Sequence, residues 1–144
     1  MDRSFHYLLL AAQGLFQRTA MAELNGLDLT EEQYRVLDYL GQHDGSIQEY
    51  IASACQMDPA TAAEELARME QKGLVRRRGG CGRWRAPYLS LTEEGWEKQR
   101  QVRQTVEHLE GSILAGLDPE EAHALKDGLA EVCLSLAAGQ EELQ

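Results

Sequence analysis

Arginine is the residue whose spacing in this chain points most directly to chemistry. Arg76, Arg77, Arg78, Arg83 and Arg85 crowd one short segment, L-V-R-R-R-G-G-C-G-R-W-R-A-P-Y-L-S-L-T (Leu74–Thr92). Guanidinium forks match phosphate oxygens and the major-groove edge of guanine, so such a cluster is suited to a polyanion. Residues 73–92 carry a local charge of +5, whereas residues 1–30, 31–72 and 93–144 carry −1, −6 and −8. The whole 144-residue chain is therefore at −10, which argues against a general phosphate binder. Any contact with nucleic acid is expected at the arginine segment or hardly at all.

The other chemically capable residues are sparser. Cys81 lies between Gly80 and Gly82 among the arginines, a positive setting that favours a thiolate and makes it a candidate oxidation site. Cys55 and Cys133 fall on helical stripes and are expected in the core. Three widely spaced cysteines without a C-x-x-C pair indicate neither a disulfide framework nor a zinc cluster, and fit a reducing, cytoplasmic chain. Glu23, His43, Glu107 and His108 are weak metal candidates. Position 112, one helical turn after His108, is Ser112, so no metal site is expected. The acidic doublets Glu31-Glu32, Glu93-Glu94 and Glu120-Glu121 fall in first helical turns, where they complement the helix dipole. With no phosphate-cradling loop or nucleophile elbow, neither an enzyme nor a cofactor is expected. No apolar run approaches the ~20 residues of a membrane span, and the start, MDRSFHYLLL, reads as a helix and not as a cleaved leader.

The elements that position these residues are mostly helical. Phe5, Leu8, Leu9, Ala12, Leu15, Phe16 and Thr19 recur at helical spacing. Thr30 with Gln33 forms a capping box for a helix over 31–42 that turns Tyr34, Leu37 and Leu40 inward. Ile47, Tyr50, Ile51 and Ala54 mark a short third helix. Asp58 and Pro59 supply the cap and first position of a fourth, and Gly73 stops it. In that fourth helix Ala62, Leu66 and Met69 are expected inward, and Thr61, Glu64, Glu65 and Arg68 outward. Two short helices joined by a tight turn are the pattern of a helix-turn-helix. Leu74–Arg78 and Ala86–Leu91 are read as a hairpin; Pro87, having no amide donor, demands an edge or irregular pairing. Thr92 caps a long fifth helix carrying Trp96, Val102, Val106, Leu109 and Ile113. Asp118 and Pro119 start a sixth with the stripe Ala122, Leu125, Leu129, Val132, Cys133 and Leu136.

This order resembles the MarR family of winged-helix transcriptional regulators. The resemblance is carried by L-D-L-T-E-E-Q-Y-R-V-L-D-Y-L (Leu27–Leu40), M-D-P-A-T-A-A-E-E-L-A-R-M-E-Q-K-G-L-V-R-R (Met57–Arg77) and L-S-L-T-E-E-G (Leu89–Gly95). It implies a mainly α fold with a small β-hairpin wing, as one domain over 1–144. Within it, 30–95 would be the DNA-binding lobe, and 1–29 and 96–144 the helices of a homodimer. It also implies double-stranded operator DNA as a partner, with the fourth helix in the major groove and the wing at the minor groove. The residues expected there are Gln56, Thr61 and Arg68 of the helix-turn-helix and Arg77, Arg78, Arg83 and Arg85 of the wing. Arg85 matches the arginine that enters the minor groove, while Arg83 and Trp84 replace the wing's usual Asp and Arg.

A ligand-responsive repressor is the function the resemblance implies. The small-molecule effector it suggests would find candidate pocket residues in Phe16, Tyr39, Tyr50, Met57 and Trp96. Redox sensing in the family generally uses a cysteine near the first helix, which this chain lacks. Glu64 and Glu65 raise an alternative. Phosphates repel carboxylates on a DNA-reading face, so the same fold would serve a dimer with weak or lost DNA binding that acts through protein contacts.

Overall fold

The structure, a computed structural model, describes residues 3–79 and 86–143. Its elements run α1 (Phe5–Glu23), α2 (Glu31–Leu40), β1 (Ser46–Ile47), α3 (Gln48–Ala54), α4 (Pro59–Gln71), β2 (Val75–Gly79), β3 (Pro87–Leu91), α5 (Glu93–Leu114) and α6 (Pro119–Leu143). They form two compact units, Met1–Glu107 and His108–Gln144, with α5 running through both.

Side-chain caps set the helix starts. Thr30 Oγ1 accepts from the amide of Gln33 at 3.1 Å while Gln33 Oε1 accepts from the amide of Thr30 at 3.4 Å, completing the capping box of α2. Asp58 Oδ1 accepts from the amide of Thr61 at 2.9 Å and Pro59 follows as the first residue of α4. Thr92 Oγ1 accepts from the amide of Gly95 at the start of α5, and Asp118 Oδ1 from that of Glu121 at the start of α6. At the other end of α4, Gly73 adopts φ +78°, a left-handed position that releases the chain into β2.

In the first unit, α2, α3, α4 and a small antiparallel sheet enclose the core. Leu37, Leu40, Ile51, Leu66, Met69, Leu74 and Leu89 are its largest fully buried apolar side chains, each contributing about 1.5–3 kcal/mol relative to exposure. The sheet order is β1-β3-β2. Strand β1, not expected from the sequence, has two residues, Ser46 and Ile47, which pair with Leu89 and Tyr88. The edge placement expected from Pro87 is corrected: β3 is the central strand. Pro87 is tolerated because it is the strand's first residue, opposite Gly79 of β2 and beyond the reach of β1.

Much apolar surface is left uncovered in the single chain. Along α1, Phe5, Leu8, Leu9, Leu10 and Leu15 are exposed and Ala20 is the buried residue. In the second unit, α6 exposes Leu125, Leu129, Leu134 and Leu136. Cys133 is exposed as well, correcting its expected core position, whereas Cys55 is buried as expected. None of the described helices is long and apolar enough to cross a membrane.

Candidate nucleic-acid interface

The helix-turn-helix is built by α3, α4 and a turn that Gln56 makes with φ +57°. Met57 donates its amide to the carbonyl of Ala52 at 2.9 Å, and Gln56 Nε2 donates to the carbonyl of Ser53 at 3.1 Å. Gln56 is exposed there. Thr61 stands at the third position of α4, where its hydroxyl donates to Asp58 Oδ2 at 2.9 Å and is partly committed to the cap. These bonds to the ionised carboxylate hold Asp58 below its ordinary range, the amide of Thr61 contributing most. Ala60, Glu64, Ala67, Arg68 and Gln71 are exposed on α4. Apart from Glu64 and Arg68, that outer face is uncharged, and Ala60 and Ala67 leave it short there.

Glu65 is the main correction. Its charge predicts an outward position beside Glu64, but only 6% of the residue is exposed. Its Oε2 accepts from Gln33 Nε2 at 3.0 Å and from Thr30 Oγ1 at 3.3 Å, and its Oε1 accepts from Arg68 Nη1 at 2.8 Å. A buried carboxylate is stable only with such donors. Lys72 Nζ extends the network, donating to Gln33 Oε1 at 2.8 Å and to the carbonyl of Asp28 at 2.6 Å. The signal was present in the spacing: Glu65 lies three residues after Ala62 and four before Met69, on the inward stripe, and only its charge argued otherwise. The acidic load on the exposed face of α4 is therefore Glu64 alone in its first three turns, which halves the case for repulsion of phosphates.

Strand alternation sorts the arginines of the hairpin. Arg77 pairs with Leu89 in the register, facing α4 and α3; its Nε donates to Glu70 Oε1 at 2.5 Å and its Nη2 to Gln48 Oε1 at 3.2 Å. Arg76 and Arg78, opposite Ser90 and Tyr88, lie on the other face. Both are exposed, and among the described residues neither has an ion-pair partner. Of the three described arginines, one thus helps to hold the hairpin on the helix-turn-helix and two offer uncompensated charge. Cys81, Arg83, Trp84 and Arg85 lie outside the described residues.

Among the described residues, Tyr39 and Met57 of the expected pocket set line different clefts. Tyr39 lines a cleft of about 500 Å³ with Gln13, Arg35, Asp38, Gln42 and His43, and Met57 lines a separate one of about 220 Å³ beside Pro59. Neither cleft is lined by Phe16, Tyr50 or Trp96, and Tyr50 is exposed. Apolar periodicity identifies an inward or outward face but not which faces border a void. His43 stacks on Tyr39 with ring centroids 4.6 Å apart, and Glu107 accepts from Arg103 at 2.8 Å. Glu23 and His108 are exposed. Among the described residues no three His, Cys, Asp or Glu side chains converge to hold a metal.

Cys55 borders the larger cleft. Burial pushes its thiol up to about 11 from an ordinary value of 9.0, against the opposing pull of Arg35, and its Sγ donates to the carbonyl of Arg35 at 3.5 Å. The thiol of the unfolded chain ionises first as pH rises, so the folded state loses stability between about pH 9 and 11, by up to about 2 to 3 kcal/mol. Urea midpoints at pH 8 and 11 check this: the loss in Cys55→Ala should be smaller than in the wild type.

Three comparisons bear on this geometry. The MarR family model matches residues 26–82, spanning α2, the helix-turn-helix and β2. Transcriptional regulator HosA of Escherichia coli is 37% identical over 94 residues, covering 65% of this chain and 67% of that protein. The chain belongs to the MarR family. Staphylococcus aureus MepR in complex with DNA superposes with a TM-score of 0.83 at 27% identity, covering 94% of this chain and 99% of that one. NadR in complex with 4-hydroxyphenylacetate gives 0.80 at 25% identity, covering 91% and 93%. The MarR assignment makes the chain a transcriptional regulator with a winged-helix fold, as the sequence motifs implied.

Proposed function

We propose that this MarR-family chain acts in the cytoplasm as a homodimeric, ligand-responsive repressor that binds duplex DNA. In this reading α4 enters the major groove with Thr61 and Arg68, while Gln56 supports it from the turn. The hairpin meets the backbone and minor groove through Arg76 and Arg78, joined in this reading by Arg83 and Arg85 of the segment between β2 and β3 in sequence. The observation that carries the reading is the pair of uncompensated arginines, Arg76 and Arg78, on the hairpin that packs beside α4 in an otherwise acidic chain. Superposition on the DNA complex of MepR supports it.

Two further observations support the finer parts. Apolar residues exposed along α1 are suited to a second copy of the chain, since an isolated protein rarely leaves so many large apolar side chains on one helix in water. The cleft that holds Arg35, Tyr39 and His43 offers a cation, an aromatic ring and polar groups to a small effector, and NadR, of like fold, binds 4-hydroxyphenylacetate.

Selection of duplexes from a randomised pool, followed by light scattering of the purified complex, tests the reading. The expected outcome is one enriched sequence with two-fold symmetry, bound by a particle of twice the 16.1 kDa chain mass. Enrichment of no sequence would favour the alternative of a dimer acting through protein contacts.

A further inference from the structure

The carboxylate of Glu65 is anchored from behind. Its side chain is 8% exposed, and Oε2 is held by Gln33 Nε2 at 3.0 Å and Thr30 Oγ1 at 3.3 Å, both at the capped start of α2. Neither donor is free to wander. Gln33 Oε1 is fixed by Lys72 Nζ and the amide of Thr30, and the Thr30 oxygen is fixed by the amide of Gln33. What remains for a partner is Oε1, which takes Arg68 Nη1 at 2.8 Å. Arg68 lies on the outer side of α4 with 57% of its side chain exposed, and among the described residues its other N–H groups have no hydrogen-bond partner.

We propose that Glu65 is a positioning residue for DNA binding, which clamps one edge of the Arg68 guanidinium and so presents the other edge to duplex DNA in a fixed direction. The inference rests on the DNA-binding reading above. A guanidinium is rigid and planar, so holding one N–H fixes the directions of the rest, whereas an unclamped arginine must lose its rotamer freedom on contact. Because the clamp is itself an ion pair, the charge Arg68 offers to phosphates is largely balanced by Glu65. Its contribution is therefore directional, and it should appear as discrimination between sequences and not as general affinity.

The test uses the intact chain, a duplex that the wild type enriches from a randomised pool, and a scrambled duplex of equal length. Fluorescence anisotropy gives the ratio of the two affinities for wild type, E65Q, R68K and E65Q/R68A. Glutamine keeps the size of the buried group and removes its charge. E65Q is expected to lower the ratio by about tenfold, with binding of the scrambled duplex unchanged or stronger. R68K, a change at the exposed end of the network, leaves the bonds of Gln33 and Thr30 to Glu65 in place and keeps the charge but loses the fork. It should lower the ratio to a similar degree, which keeps the test valid if E65Q fails to fold. E65Q/R68A should be little worse than E65Q on the enriched duplex. A ratio equal to the wild type in folded E65Q, or in R68K, would overturn the clamp while leaving DNA binding intact. A wild type that enriches no duplex overturns the DNA-binding reading and the clamp with it.

Discussion

Replacing Gly95 by alanine is expected to destabilise the first unit by about 3 kcal/mol or more. A Cβ at this position would lie 2.0 Å from the carbonyl oxygen of Leu74 and 3.0 Å from its carbonyl carbon, and backbone cannot swing aside as a side-chain tip does. The close approach is built by Thr92. Its amide donates to the carbonyl of Leu74 at 3.0 Å and its hydroxyl to the carbonyl of Gly73 at 2.5 Å, drawing the start of α5 onto the chain between α4 and β2. Relief of the clash must push α5 away and break one or both of those bonds. Since Gly73, Leu74 and Val75 lead directly into the arginine strand, the hairpin would shift with them. The measurement is a urea or thermal unfolding curve of Gly95→Ala beside the wild type. Equal midpoints would mean that α5 does not pack on Leu74 as described.

That contact also shows what was legible in advance. The motif L-S-L-T-E-E-G was visible in the sequence, and so was the Thr92 cap, but nothing in it says that Gly95 touches a carbonyl twenty-one residues earlier in the chain. Local rules worked wherever the determinant was local. Capping at Thr30, Asp58, Thr92 and Asp118, the stop at Gly73 and the alternation of Leu89 and Leu91 were all found where expected. They failed where pairing at a distance decides. β1 is two residues long and exists only because β3 offers it a neighbour. Glu65 was judged by its own charge, although Thr30 and Gln33, more than thirty residues away in sequence, are what make its burial tolerable. The candidate interface divides in the same way: the arginine segment is obvious from composition, whereas the engagement of Arg77 by Glu70 depends on strand register against α4.

Removing the uncompensated arginines should have the largest effect on DNA binding. Arg76 and Arg78 share the exposed face of β2, and Arg77, held by Glu70, does not substitute for them. Each guanidinium that meets a phosphate releases about one counterion, so a dimer losing both from each protomer gives up roughly four contacts. Arg76→Ala/Arg78→Ala should therefore weaken binding most at low salt. Because Arg76 and Arg78 are exposed, the substitution should leave the unfolding midpoint nearly unchanged, separating it from Gly95→Ala.

In the proposed function an acidic chain meets DNA through this local positive strand. That contact is tested most directly by the slope of log affinity against log salt, measured for wild type and Arg76→Ala/Arg78→Ala on the enriched duplex between roughly 50 and 200 mM. The slope should become shallower by about 3 to 4 in the variant, so that its gain in affinity from roughly 200 to 50 mM salt is about a hundredfold smaller than that of the wild type. An unchanged slope would contradict it, and would place the phosphate contacts elsewhere on the molecule.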